Sequence, residues 1–294
     1  QIGPLGEADA NGVRLPAGFS IRIVARSGEP VLPNGHTWHA WPDGGATFAT
    51  DDGGWIYVSN SELPLNGGVG ALRFDANGVL VDAYPILEGT NINCAGGPTP
   101  WGTWLYCEET GNGRVFETDP WGEVEAVDRP ALGRFKHEAV TIDPELGCAY
   151  LSEDESDGCF YRFVSSSIDE QGHLSLTDGE LQVAVVDDAG GVTWTPVPDP
   201  LAEDGPTRWQ VPNATVFDGG EGIWWFEGTV YLSTKGDNRI WAYDTHNQTI
   251  RTVYDRATTA DPEALYGVDN LTVSACGDVL VAEDSGQMRI VAVQ

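Results

Sequence analysis

Apolar and polar residues alternate along most of this chain in short runs, the pattern of strands with one buried face. Five runs are alike: Tyr57-Val-Ser-Asn-Ser-Glu62, Trp104-Leu-Tyr-Cys-Glu-Glu109, Tyr150-Leu-Ser-Glu-Asp-Glu155, Tyr231-Leu-Ser-Thr-Lys-Gly236 and Leu280-Val-Ala-Glu-Asp-Ser285. Their starts are 47, 46, 81 and 49 positions apart, and the long gap has room for a degenerate copy near Val192-Thr-Trp-Thr195. A second strand follows each run, as at Gly70–Phe74, Cys159–Phe163 and Arg239–Tyr243. Turn residues come next in two copies, Asp75-Ala-Asn-Gly78 and Asp119-Pro-Trp-Gly122. No stretch has the period of a long amphipathic helix.

Four strands in a repeat of 40–50 residues is the arithmetic of a β-propeller blade. The expectation is an all-β, six-bladed β-propeller with four-stranded blades, one domain spanning residues 1–294. Phe19-Ser-Ile-Arg-Ile-Val24 has no blade of its own and is expected to close the ring as an N-terminal strand of the last blade. Paired β-sandwiches fit less well, because the period is too regular.

Charge narrows the function. The chain has 45 Asp+Glu against 15 Lys+Arg, a formal net charge of −30. That balance argues against nucleic acids and anionic membranes, which need basic patches. No apolar run approaches the roughly 18 residues of a membrane span. The acidity has two readings, a solvated salt-adapted surface and carboxylates gathered around cations. The chain begins at Gln1 and has five cysteines, an odd count. A processed, exported protein, periplasmic or extracellular and monomeric, is expected.

In a propeller, equivalent positions of successive blades form rings around the axis. Two such positions are polar. The first lies 10–12 residues before each repeat start and holds Cys94, Glu138, Glu221 and Asp269. The second ends the next strand and holds Asn60 and Glu62, Glu108 and Glu109, Glu153 and Asp154, Asp237, and Glu283 and Asp284. Packed together without cations, these groups would repel and be driven to protonate. Carboxylates and the Asn270 carbonyl are hard ligands suited to calcium or magnesium. A thiolate among carboxylates suits a transition metal such as iron. His137 reads equally as ligand, hydrogen-bond partner or core residue; His36 and His39 have the i, i+3 spacing of a metal pair but read better as structural or surface groups. His-Glu-x-x-His, Gly-x-Ser-x-Gly, P-loop and dinucleotide motifs are absent.

The segment Asn93-Cys-Ala-Gly-Gly-Pro-Thr-Pro-Trp-Gly-Thr-Trp-Leu-Tyr-Cys-Glu-Glu109 resembles the signature of the PhoX-type alkaline phosphatases. Gly133-Arg-Phe-Lys-His-Glu-Ala139, Glu153-Asp154 with Phe160–Phe163, Phe217-Asp-Gly-Gly-Glu-Gly222 and Asp269-Asn-Leu271 resemble further family motifs in order. The resemblance implies a six-bladed propeller, export by the twin-arginine route and phosphomonoester hydrolysis at an axial cluster of ferric iron (Fe3+) and calcium (Ca2+). It places the bridging thiolate at Cys94 and iron at Glu138 and Glu221, with Glu62 a further candidate. Calcium falls to Glu108, Glu109, Glu153, Asp154, Asp237, Asp269, Asn270, Glu283 and Asp284. Arg134, His137 and Lys235 become the candidate catalytic groups, and Arg134, Lys136 and Lys235 the candidate holders of a small phosphoester substrate. This chain resembles a short branch of the family. Rival readings are a calcium-dependent lactonase or esterase and a non-catalytic, metal-stabilised binding propeller.

Overall fold

The computed structural model describes residues 3–33 and 35–293. Its strands form five antiparallel sheets. Blade 1 is β1 (Pro42–Ala49), β2 (Trp55–Ser61), β3 (Gly67–Phe74) and β4 (Leu80–Thr90). Blade 2 is β5 (Asn93–Pro98), β6 (Trp104–Glu108), β7 (Val115–Thr118) and β8 (Val127–Asp128). Blade 3 is β9 (His137–Asp143), β10 (Cys148–Glu153), β11 (Phe160–Ser165), β12 (Gly179–Val186) and β13 (Val192–Pro196). Blade 4 is β14 (Gly220–Phe226), β15 (Thr229–Thr234), β16 (Arg239–Asp244) and β17 (Thr249–Asp255). Blade 5 is β18 (Val268–Val273), β19 (Val279–Glu283) and β20 (Ile290–Val293). Among the described residues there is no α-helix, only two short 3-10 turns, and so no helix long and apolar enough to cross a membrane.

The all-β propeller of mostly four-stranded blades agrees with the alternation, but the blades number five, not six. The run at Val192–Thr195 belongs to β13, which pairs with β12 as a fifth strand on the edge of blade 3. Alternation marks a half-buried strand without saying which neighbour it joins. The expected closure by Phe19–Val24 is also not formed. That segment lies in no strand, with Phe19 61% exposed, and Arg22 donates to the Gly78 carbonyl beside blade 1. Blade 5 keeps three strands.

Four apolar layers hold the blades together, one between each consecutive pair. Val58, Val69, Trp104 and Tyr106 join blades 1 and 2. Leu105, Val140, Leu151 and Phe163 join blades 2 and 3. Tyr150, Phe160, Val230 and Tyr243 join blades 3 and 4, and Ile240, Val268, Leu271 and Val281 join blades 4 and 5. Such clusters supply most of the stability, at about 25 cal/mol per Å² of apolar surface buried. Between blades 5 and 1 there is instead a crevice of about 450 Å³ that reaches Tyr57, Leu271 and Ile290.

Near the axis the innermost strands run so close that side chains do not fit between them. A Cβ at Gly97 would lie 1.7 Å from the Val140 carbonyl oxygen, and one at Gly222 would lie 2.3 Å from the Leu271 nitrogen. Glycine there lets neighbouring backbones touch, which brings the polar ends of five strands into one small space.

Candidate metal centre

The centre is built by one backbone device used five times. The innermost strand of each blade pairs its first residue with the end of the second strand: Pro42 with Ser61, Asn93 with Glu108, His137 with Glu153, Gly220 with Thr234 and Val268 with Glu283. Immediately afterwards the register slips by one residue in all five blades. A bulge of this kind bends the strand and re-aims a side chain. The residues in the bulges are Asp43, Cys94, Glu138, Glu221 and Asp269, an inner ring with one member from each blade. The residues following the paired strand ends, Glu62, Glu109, Asp154, Lys235 and Asp284, form a second ring nearer the solvent.

Contacts tie the rings together. The Cys94 thiol lies beside the Asp43 and Glu138 carboxyls. Ligand atoms of Glu62, Cys94 and Glu109 lie within 4.8 Å of one another, and so do those of Glu138, Glu221 and Asp269. Lys136 Nζ reaches Glu109 at 2.9 Å and Asp154 at 2.7 Å. Lys235 Nζ reaches Asp154 at 2.9 Å and Glu221 at 2.5 Å. These are the only two lysines in the chain.

The two rings hold eight carboxylates, and two lysines do not neutralise them. Burial, then the Glu221 charge, pushes Glu138 well above the usual carboxylate range. Burial does the same to Glu221, and raises Asp43, Glu62 and Asp269. Glu109 is pushed up to about 7 by burial and its hydrogen bond with Asp154. The Cys94 thiol is raised by burial and by Glu138. Burial would raise Asp154 as well, but hydrogen bonds with Glu109, Lys136 and Lys235 hold it below its ordinary value. Glu138 provides the test of fit. It is 1% exposed, and neither carboxylate oxygen has a hydrogen-bond partner. A buried carboxylate without partners is costly, and a cation removes that cost. Oxygen donors with one thiol suit a hard cation beside a thiophilic one.

Other expected site residues stand elsewhere. Of each acidic pair, only the second member faces the axis. The first is committed within its blade: Glu108 to Arg114, Glu283 to Arg289, and Glu153 to Arg208, Tyr161 and the Cys159 amide. Asp237 pairs with Arg239 and Thr234. The Asn60 side chain bridges Trp104 to the Cys94 and Ala95 carbonyls. Asn270 accepts from the Leu271 amide and lines the crevice between blades 5 and 1. Arg134 is turned to Asp128, 2.9 Å away. His137 is fully buried against Phe135, with Nε2 on the Gly133 carbonyl, because adjacent strand residues face opposite sides. Asp43 went unread in the sequence. It precedes Tyr57 by 14 positions, where the other inner-ring residues precede their repeats by 10–12. The available signal was the Asp-Gly-Gly of Asp43–Gly45, which matches that of Asp218–Gly220 beside Glu221.

Fold and site together define a class, a β-propeller whose axis carries a polyanionic cluster fit for several cations. The sequence profile of the family described as alkaline phosphatase PhoX matches residues 68–264, about two-thirds of the chain, and the protein belongs to that family. No curated protein matches the sequence. Among solved structures, the chain is similar to an auxiliary nutrient binding protein from Bacteroides thetaiotaomicron, with 11% identity, a TM-score of 0.53, and 88% of this chain and 61% of that one covered. It is also similar to a gluconolactonase from Xanthomonas campestris, with 13% identity, a TM-score of 0.49, and 86% of this chain and 75% of that one covered. At 11% identity the likeness to the nutrient binding protein is one of fold alone.

Proposed function

We propose that this protein hydrolyses small phosphomonoesters at the two axial rings, loaded with ferric iron and calcium. The observation that supports this most is the inner ring, a single thiol among buried carboxylates with the Glu138 oxygens unpartnered. Iron would be held at Cys94 with Glu62 and Glu109. Calcium would be held by the oxygen-only group of Glu138, Glu221 and Asp269, with Asp43, Asp154 and Asp284 around them. When bound, the ions supply charge neutralisation and Lewis acidity toward phosphate oxygens.

The chain's own groups do the rest. Asp154 holds both lysine ammonium groups at the solvent side of the inner ring. There they bind phosphate oxygens and offset the field of the carboxylates, which would otherwise turn an anion away. Lys235, half-exposed on Glu221, hydrogen-bonds the phosphoryl group as charge builds on it. Arg134 and His137 keep the loop before Glu138 in place. The family placement also supports an exported location, periplasmic or extracellular, which cell fractionation checks.

The experiment is elemental analysis of protein purified without chelators, paired with hydrolysis of p-nitrophenyl phosphate in added calcium. Stoichiometric iron with turnover is expected, and Cys94→Ala loses both. Calcium without iron, or full turnover in Cys94→Ala, overturns the proposal. Lactone hydrolysis without phosphatase activity would favour a lactonase.

A further inference from the structure

A third position recurs around the axis. The residue two places before each inner-ring member is Trp41, Ile92, Lys136, Gly219 and Gly267 in turn. Its carbonyl accepts the backbone N–H of the second-ring residue in every blade: Glu62 on Trp41 at 3.0 Å, Glu109 on Ile92 at 2.8 Å, Asp154 on Lys136 at 3.1 Å, Lys235 on Gly219 at 2.8 Å and Asp284 on Gly267 at 2.9 Å. The backbone of these five residues is therefore hydrogen-bonded to that of the second ring, blade by blade. Four of them are in the left-handed region, with φ of 50° at Trp41, 48° at Ile92, 65° at Gly219 and 66° at Gly267.

Blades 4 and 5 answer that backbone demand with glycine, which adopts it freely. At Gly267 a Cβ would also strike the Ser285 side chain. Blade 1 meets the same demand with tryptophan, a bulky residue for which positive φ is strained. Core packing does not compensate, because Trp41 is 59% exposed. Strain of this kind persists at functional sites. Here it holds a large aromatic residue two positions from Asp43 and hydrogen-bonded to the backbone of Glu62. This position is therefore asymmetric around the ring, with an exposed tryptophan and Ile92 in blades 1 and 2 and bare glycine backbone in blades 4 and 5.

We propose that Trp41 is a specificity-determining residue of the phosphatase site proposed above, and that its indole receives the aromatic leaving group of an aryl or nucleoside phosphomonoester. The substrate's phosphate sits on the rings and its ring stacks at the rim, a contact available to aromatic groups and not to a polyol. This deepens the phosphatase reading and rests on it.

The test is Trp41→Gly, the residue that blades 4 and 5 already use. A merely structural tryptophan would lower stability when removed, whereas release from positive φ leaves the melting temperature unchanged or raised. In the metal-loaded protein, kcat/KM for p-nitrophenyl phosphate falls about tenfold, chiefly through KM, and that for glycerol phosphate is unchanged. Trp41→Phe keeps most of the preference. Binding of the non-hydrolysable phenylphosphonate and methylphosphonate is measured by calorimetry alongside. The wild type binds the phenyl compound more tightly, and Trp41→Gly erases the difference. Equal losses for both substrates, or an unchanged phenylphosphonate preference in Trp41→Gly, overturns the assignment of Trp41. A wild type that turns over neither phosphomonoester overturns the phosphatase reading, and the phosphonate comparison still decides the role of the indole.

Discussion

Replacing Glu138 with glutamine should change stability in opposite directions with and without metal. Ligand atoms of Glu138, Glu221 and Asp269 lie within 4.8 Å of one another. At an effective dielectric constant of about 20, two unit charges at that distance repel by about 3.5 kcal/mol, so each neighbour that is itself ionised adds about that much to the burial cost of an ionised Glu138. Protonation is the cheaper escape. Keeping a carboxyl of ordinary value 4.5 protonated at pH 8 costs about 5 kcal/mol. The metal-free wild type therefore carries at most about 5 kcal/mol of destabilisation from this group at pH 8, and below about 1 kcal/mol at pH 5. The sign follows from the raised folded value: the folded state binds more protons than the unfolded one, so stability falls as pH rises. Glutamine is neutral throughout, and its buried amide replaces a buried carboxylic acid at a difference of about 1 kcal/mol. Glu138→Gln in chelator should thus gain stability at pH 8, by up to about 4 kcal/mol or about 7 °C for a chain of this length, and almost nothing at pH 5. With iron and calcium restored the order reverses, because the variant has lost a ligand. Thermal melts at both pH values, with and without chelator, check this. A variant that melts below the wild type in chelator at pH 8 refutes the reasoning.

Two further outcomes are expected. Arg208 clamps Glu153, Glu155 and Asp157 and is the cation on a Glu153 side chain with no exposed surface. Arg208→Ala should lower stability by about 3 kcal/mol, seen as a melting temperature lower by about 5 °C; a loss near zero would show that Tyr161 and the Cys159 amide suffice. His39, on Ser59 and Trp38, has its pKa lowered to about 4 by burial and by His36. Its contribution to stability is complete above its ordinary value of 6.5 and is lost as pH falls toward 4, by about 2 kcal/mol after allowance for screening. His39→Gln should flatten the fall in melting temperature over that range, and an unchanged slope would remove His39 from the account.

Much of this protein was legible in the alternation of its residues. Period-two runs recurring at 46, 47 and 49 positions identify half-buried strands in a propeller without reference to a partner. The inner-ring members Cys94, Glu138, Glu221 and Asp269 were legible because they keep a nearly constant offset from those runs. Asp43 was not, because its hairpin is longer. Alternation also could not tell which of two adjacent acids faces the axis. Glu108 and Glu109 are equal in composition, and the strand's pleat alone sends one to Arg114 and the other to the ring.

Sequence by itself therefore determined the strands, the propeller class, the family and the acids from which the centre is made, since local pattern and spacing carry each of these. Tertiary structure decided the blade number, because only pairing shows that Val192–Pro196 extends blade 3 and that Phe19–Val24 joins no sheet. It also decided the composition of the two rings and the strained place of Trp41, because a bulge repeated in five blades aims each side chain. Such an aim depends on register between strands, which residues near in sequence do not encode.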